Sequence, residues 1–229
     1  MRKGELKKQE ILDTAEQLFS RNGYEETSVQ DILDVLHTSK GSFYHHYASK
    51  DQLLEAMCVR RAEASAAETR KILQGMEPGI PSVNIIFSAV MPFQEGRLGF
   101  LLLILPVFSK PEGWSIRYRY CQALKASFSP LLAEQIQKCG LEGDLFCAHP
   151  DAMADLCFLL VNDLWCRICD RLVAAEDKGK PAAPGEMLEV IENYRIAVEK
   201  LLSAPYGSLE LMNLTELKLL TDQIHLHWK

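Results

Sequence analysis

Three of the chain's six histidines fall between positions 37 and 46, against the stretch TSKGSFYHHYASKDQ of residues 38–52. Imidazole can ligate a metal, move a proton or hydrogen-bond to an anionic surface. On a helix, His45 and His46 project about 100° apart, so they cannot both aim at one ion. His37 belongs to a turn ahead of that helix, and no metal site is expected. No Ser-His-Asp arrangement, HExxH or P-loop can be read from the sequence. No catalytic residue and no cofactor are therefore expected, and the chain reads as a non-enzyme. A contact surface is the remaining chemistry. From Val35 to Lys50 there is no acid, but there are two lysines and three histidines, bracketed by Asp34 and Asp51. A surface pressed against phosphates needs that local lack of carboxylates. The net charge of −6 argues only against coating nucleic acid by bulk charge.

Cys166-x-x-Cys169 is a second chemical candidate, because i and i+3 share a helix face. The pair sits mid-helix, where no helix N-terminus lowers a thiol pKa, and no further ligand is spaced nearby. Core packing is the favoured reading, and a thiol-redox or metal-responsive site at Cys166/Cys169 is the alternative. His225 and His227 are two apart, on different sides of a helix, and read as tail or surface. Seven cysteines, an odd number, predict free thiols in a reducing cytosol. The opening MRKGELKKQE has no apolar stretch, so no secretory signal is expected and the predicted location is cytoplasmic. The most apolar run, LGFLLLILPVF, is too short to span a bilayer, and no membrane partner is expected.

The elements that must position these residues read as helix almost throughout. Ile11, Ala15, Leu18 and Phe19 mark one apolar helix face, stopped by Asn22-Gly23. Thr27-Ser28-Val29-Gln30 reads as a capping box opening a second, short helix that ends near Leu36. A turn at His37-Thr38 leads to a third helix over about 39–47. Ser49-Lys50-Asp51-Gln52, a second capping box, opens a longer helix to about Lys71. Two short helices across a tight turn describe a helix-turn-helix, here about residues 28–47. Further helices are expected over Ser82–Phe93, Arg97–Val107, Gly113–Lys138 (closed by Cys139-Gly140), His149–Ala175 and Gly185–Ser203. A final amphipathic helix follows Pro205-Tyr206-Gly207, with Leu209, Leu211, Leu214, Leu217, Leu220 and Ile224 on its apolar face. The fold class is all-α, divided into a helix-turn-helix domain over residues 1–50 and a larger helical domain over 51–229.

Residues 5–57 resemble the DNA-binding domain of TetR-type transcriptional regulators. The matching features run in order: Phe19-Ser20-Arg21-Asn22-Gly23-Tyr24 at the end of the first helix, then Thr27, Val29 and Asp31-Ile32 opening the second. Ser39-Lys40-Gly41-Ser42-Phe43-Tyr44-His45-His46-Tyr47 forms the third, and Ser49-Lys50-Asp51-Gln52-Leu53-Leu54 opens the fourth. The chain departs from the pattern at Leu33, where the family usually has Ala, and at His37, where it usually has Gly. His37 is expected to take a positive φ, which Gly adopts freely and His at some cost.

A recognition helix enters the major groove with its N-terminal residues near base edges. Gly41 and Ser42 are small enough for close approach, Lys40 can donate to guanine or phosphate, and Ser39 and Ser42 to either. Thr27, Ser28, Tyr44, Tyr47 and Lys50 suit phosphate oxygens, while Phe43 reads as core. For Tyr44 the resemblance implies a phosphate contact, and it favours His45 as the histidine nearer the DNA backbone. It also implies a repressor that leaves a palindromic double-stranded operator when a small-molecule effector binds. The implied homodimer pairs the helices His149–Ala175 and Gly185–Ser203. The effector pocket is expected between Ser82 and Ala175. Its candidate lining is Phe87, Met91, Phe100, Phe108, Trp114, Tyr118, Cys121, Asn162 and Trp165, which suits a largely apolar ligand.

Overall fold

A computed structural model of the 229-residue chain describes residues 3–91, 98–142, 145, 148–212 and 214–227. Among them the chain is helical, without a strand. The head consists of α1 (Lys3–Asn22), α2 (Val29–Val35) and α3 (Lys40–His46), closed by the start of α4 (Lys50–Leu73). Ile11, Ala15 and Phe19 are buried on the inner face of α1, as their spacing predicts. Gly23, at φ 90°, ends that helix and donates its N–H to the Phe19 carbonyl.

The capping box of α2 is shifted by one residue from the expected Thr27/Gln30 pair. Ser28 is the N-cap, its Oγ accepts from the Asp31 N–H, and the Asp31 carboxylate accepts from the Ser28 N–H at 2.7 Å. Asp does the work expected of Gln30, whose amide donates instead to Asp34. Leu33 is buried, and its carbonyl accepts from the Thr38 N–H in the turn. His37 has φ 47°, the left-handed conformation expected at that position. The second expected box is half formed: Ser49 accepts from the Gln52 N–H, while the Gln52 side chain accepts from Ala48.

From the head, α4 runs into the body and packs lengthwise on α7 (Trp114–Glu142). The other body helices are α5 (Ile80–Val90), α6 (Leu98–Phe108), α8 (Pro150–Glu176), α9 (Pro184–Leu202) and α10 (Leu214–His227). Phe87, Phe128 and Phe158 tie α5, α7 and α8 into one core. A 3-10 turn over Pro111–Gly113 joins α6 to α7. A Cβ on Gly113 would lie 1.9 Å from the Val107 carbonyl oxygen, so only glycine permits this close approach.

Three expected boundaries move. The fifth helix starts at Ile80, and the expected residues Phe93 and Arg97 lie outside the described ones. The seventh continues through Gly140 to Glu142, because a single glycine costs a helix only about 1 kcal/mol. Leu209 and Leu211 are buried but precede α10. Side chains replace the helical bonds there: Glu199 accepts from the Leu209 N–H, and Asn84 bonds both Ser208 and Glu210. No described helix is long and apolar enough to cross a membrane.

Candidate nucleic-acid interface

Ser39 caps α3, its Oγ accepting from the Ser42 N–H at 3.3 Å. Phe43, fully buried, fixes the helix's rotation about its axis. With Phe43 inward, Ser39, Lys40 and Gly41 are exposed, Ser42 is half-buried, and Tyr44 and His45 lie outside. The first turn therefore presents hydroxyl, ammonium and bare backbone together. Tyr44 is 54% exposed and meets the Phe43 ring edge-on, which steadies its outward hydroxyl. The rings of His45 and His46 meet at 4.9 Å. His46 titrates below an ordinary histidine, through desolvation and then its neighbours His45, Lys8 and Lys7. Those two lysines of α1 add positive charge beside the end of α3. The run Lys7-Lys8 was the signal for them, but only the packing of α1 on the head brings it there.

Three residues expected at phosphates face inward. Thr27 is fully buried and donates its hydroxyl to the Gly23 carbonyl at 2.8 Å. Tyr47 is buried, with its hydroxyl donating to the Lys8 carbonyl at 3.3 Å. Lys50 turns its ammonium onto the carbonyls of Tyr24 (2.8 Å) and Thr27 (3.1 Å) and over the Tyr24 ring. Thr27 and Lys50 supply donors to carbonyls of the α1–α2 turn, while Tyr47, just past α3, reaches back to a carbonyl of α1. Ser28 is exposed, but its hydroxyl is engaged with Asp31. Among the described residues, no group of three His, Cys, Asp or Glu could hold a metal.

Ion pairs tie head to body. Arg60 on α4 pairs with Asp13 and Glu16 of α1, and Arg61 with Glu16. Lys110, just past α6, pairs with Glu25 at 2.6 Å and holds that carboxyl below the usual range. A cleft of about 360 Å³ lies alongside, between Tyr24 and Lys50 of the head and Asp51, Lys110 and Gly113 of the body.

Of the expected pocket residues, Phe87, Met91, Phe100, Phe108, Cys121 and Trp165 are buried, and Asn162 donates to the Cys121 carbonyl. Trp114 and Tyr118 are displaced from any interior wall. They are 67% and 50% exposed and stack on each other outside the core, one turn apart on α7. Cys169 is buried, and desolvation raises its thiol pKa. Cys166, by contrast, faces Arg117 and Cys121 of α7. The pair is mid-helix, with no helix N-terminus beside it, but Arg117 and Cys121 of the neighbouring helix act on the Cys166 thiol instead.

Comparison with known proteins agrees with this geometry. Residues 11–57 match the family described as bacterial regulatory proteins, tetR family. The HTH-type transcriptional regulator UidR of Escherichia coli K12 is 32% identical over 100 residues, which is 44% of this chain and 49% of UidR. The chain thus spans about half the length of that curated relative. A TetR-family regulator of Pectobacterium atrosepticum superposes with a TM-score of 0.58 at 19% identity, covering 90% of this chain and 99% of that one. Thermus thermophilus FadR, a TetR-family repressor solved with lauroyl-CoA, gives 0.57 at 24% identity, covering 87% and 100%. The head thus matches the tetR family over residues 11–57, and the chain as a whole shares the all-helical fold of those solved regulators.

Proposed function

We propose that the chain is a sequence-specific DNA-binding transcriptional regulator, a cytoplasmic repressor released from a palindromic operator by a small-molecule effector. One observation carries the reading. The first turn of α3 is exposed, free of acids, and held outward by the buried Phe43. Its base-reading set is Ser39, Lys40, Gly41 and Ser42, with Tyr44 and His45 on the backbone. Base contacts specify sequence, and phosphate contacts fix position. The head is residues 1–50 and the effector and dimerisation domain is the remainder.

Each head carries little positive charge, so two are needed. The homodimer pairs α8 and α9 of two copies, which places two recognition helices on successive major grooves. Exposed Leu156 and Leu159 on α8 support that pairing. The effector binds among α5 to α8, against Phe87, Phe100 and Phe108, and is largely apolar. It acts by preferring one arrangement of the heads. The Lys110–Glu25 pair supports such coupling, because any shift of the end of α6 loads the α1–α2 turn.

Selection of genomic fragments by the full-length protein at low salt tests the reading. Enriched fragments should share an inverted repeat, protected from nuclease at nanomolar to micromolar protein, with binding that falls steeply as salt rises. Enrichment of no fragment sinks the proposal.

A further inference from the structure

Arg117 on α7 and Cys166 on α8 form a contact that DNA reading does not use. The Arg117 Nε–H donates to the Cys166 sulfur at 3.2 Å, and its Nη1 donates to Asp170 at 2.7 Å. Asp170 therefore aims the guanidinium at the sulfur. The Cys121 thiol, also on α7, lies next to the Cys166 sulfur. Cys166 is half-buried, within reach of small solutes, whereas Cys121 and Cys169 are buried. A thiolate held by a cation, partly exposed and next to a second thiol, has the features of a reactive cysteine.

We propose that Cys166 is a peroxide-reactive thiol that Cys121 resolves into a reversible disulfide between α7 and α8. The Cys166 thiolate attacks one oxygen of hydrogen peroxide and the O–O bond breaks. The sulfur becomes a sulfenic acid and the leaving hydroxide takes a proton to give water. The Cys121 sulfur then attacks the sulfenic sulfur, losing its proton, and the sulfenic oxygen leaves as a second water. Two thiols are oxidised by two electrons and one peroxide is reduced to two waters. Cys169 takes no part, because thiols at i and i+3 of one helix have Cβ atoms about 5–6 Å apart, beyond the roughly 3.5–4.5 Å of a disulfide.

The electrostatics support this geometry. The neighbouring Cys121 thiol, followed by the Arg117 contact and charge, pulls the Cys166 thiol down to about 6 against opposing desolvation and Asp170. The charged and titratable groups around it are Arg117 and Cys121 from α7, with Asp170 and Cys169 on its own helix. The sign follows directly: Cys166 is thiolate above about pH 6 and loses reactivity below it. A low pKa also weakens the nucleophile, so the advantage over an ordinary thiol is roughly two- to threefold at pH 7. It grows to roughly tenfold at pH 6, where ordinary thiols are almost wholly protonated.

The test uses the full-length protein. Hydrogen peroxide followed by peptide mass mapping should give a Cys121–Cys166 disulfide that dithiothreitol reverses. Cys121→Ser should stop at a sulfenic acid on Cys166 that dimedone traps. Bimane labelling of Cys166 against pH should have its midpoint near 6, as the shifted thiol requires. Arg117→Met, with helicity and cooperative melting retained, should move that midpoint upward, and Arg117→Lys should move it less. Labelling of Cys166 with the midpoint of an ordinary thiol, or a midpoint unmoved in a folded Arg117→Met, overturns the proposal. So does oxidation that links Cys166 to Cys169 or spares Cys166.

Discussion

The first turn of α3 and the seam between α3 and α4 use the same residue types for opposite ends. Each has a serine at a helix N-cap and a lysine immediately after it: Ser39-Lys40 and Ser49-Lys50. Lys40 is exposed, while Lys50 folds back onto the carbonyls of the α1–α2 turn. Residue type and proximity in sequence therefore do not make a phosphate ligand. Helix phase and the hydrogen-bond needs of nearby backbone decide which lysine faces out.

The sharpest break of that comparison is Lys50→Met. It keeps most of the stem but takes the ammonium away from the carbonyls of Tyr24 and Thr27. Hydrogen bonds to a charged group contribute about 1.5–3 kcal/mol, and a loss of about 2 kcal/mol should lower the melting temperature by roughly 4–8 °C. Thermal unfolding by circular dichroism checks this. An unchanged melting point with weakened operator binding would move Lys50 back among the DNA contacts.

Lys40→Ala should do the reverse. Its ammonium is on the surface, so melting should shift by no more than about 1 °C, as surface substitutions do. Operator affinity should fall about tenfold, within the range of a single base or phosphate contact. Titration at several salt concentrations separates the two roles. A phosphate contact lowers the salt slope by about one and weakens all sequences alike, whereas a base contact relaxes discrimination at one position. Loss of melting temperature with unchanged affinity would erase the distinction between the two lysines.

The same contrast explains what was legible in the sequence. Helix existence came from periodicity, and the outward set Ser39 to Ser42 from consecutive residues on one short helix, anchored by a neighbour recognisable as core. Thr27, Tyr47 and Lys50 bond to partners 4 to 39 residues away, which no local pattern displays. In the body the gap widens. Cys166 was weighed against Cys169 three residues along, but its chemical partners, Arg117 and Cys121, lie on another helix. Leu209 and Leu211 had helical spacing, yet Glu199 and Asn84 hold their segment irregular through bonds that no local pattern encodes.

His37 gives the smallest effect and joins the two regions, since its turn sets where α3 begins. Its φ of 47° places a Cβ-bearing residue in the left-handed region, which costs roughly 1–2 kcal/mol in an L-residue. Gly removes that strain but gives the unfolded chain more freedom, worth about 0.4–1 kcal/mol against it. The imidazole is exposed, so little packing is lost. His37→Gly should therefore raise stability by a few tenths to about 1 kcal/mol in urea titration, with operator affinity unchanged. A lower midpoint would mean that the His37 side chain stabilises the turn by more than its strain, and that the turn is held like the seam rather than tolerated like an open surface.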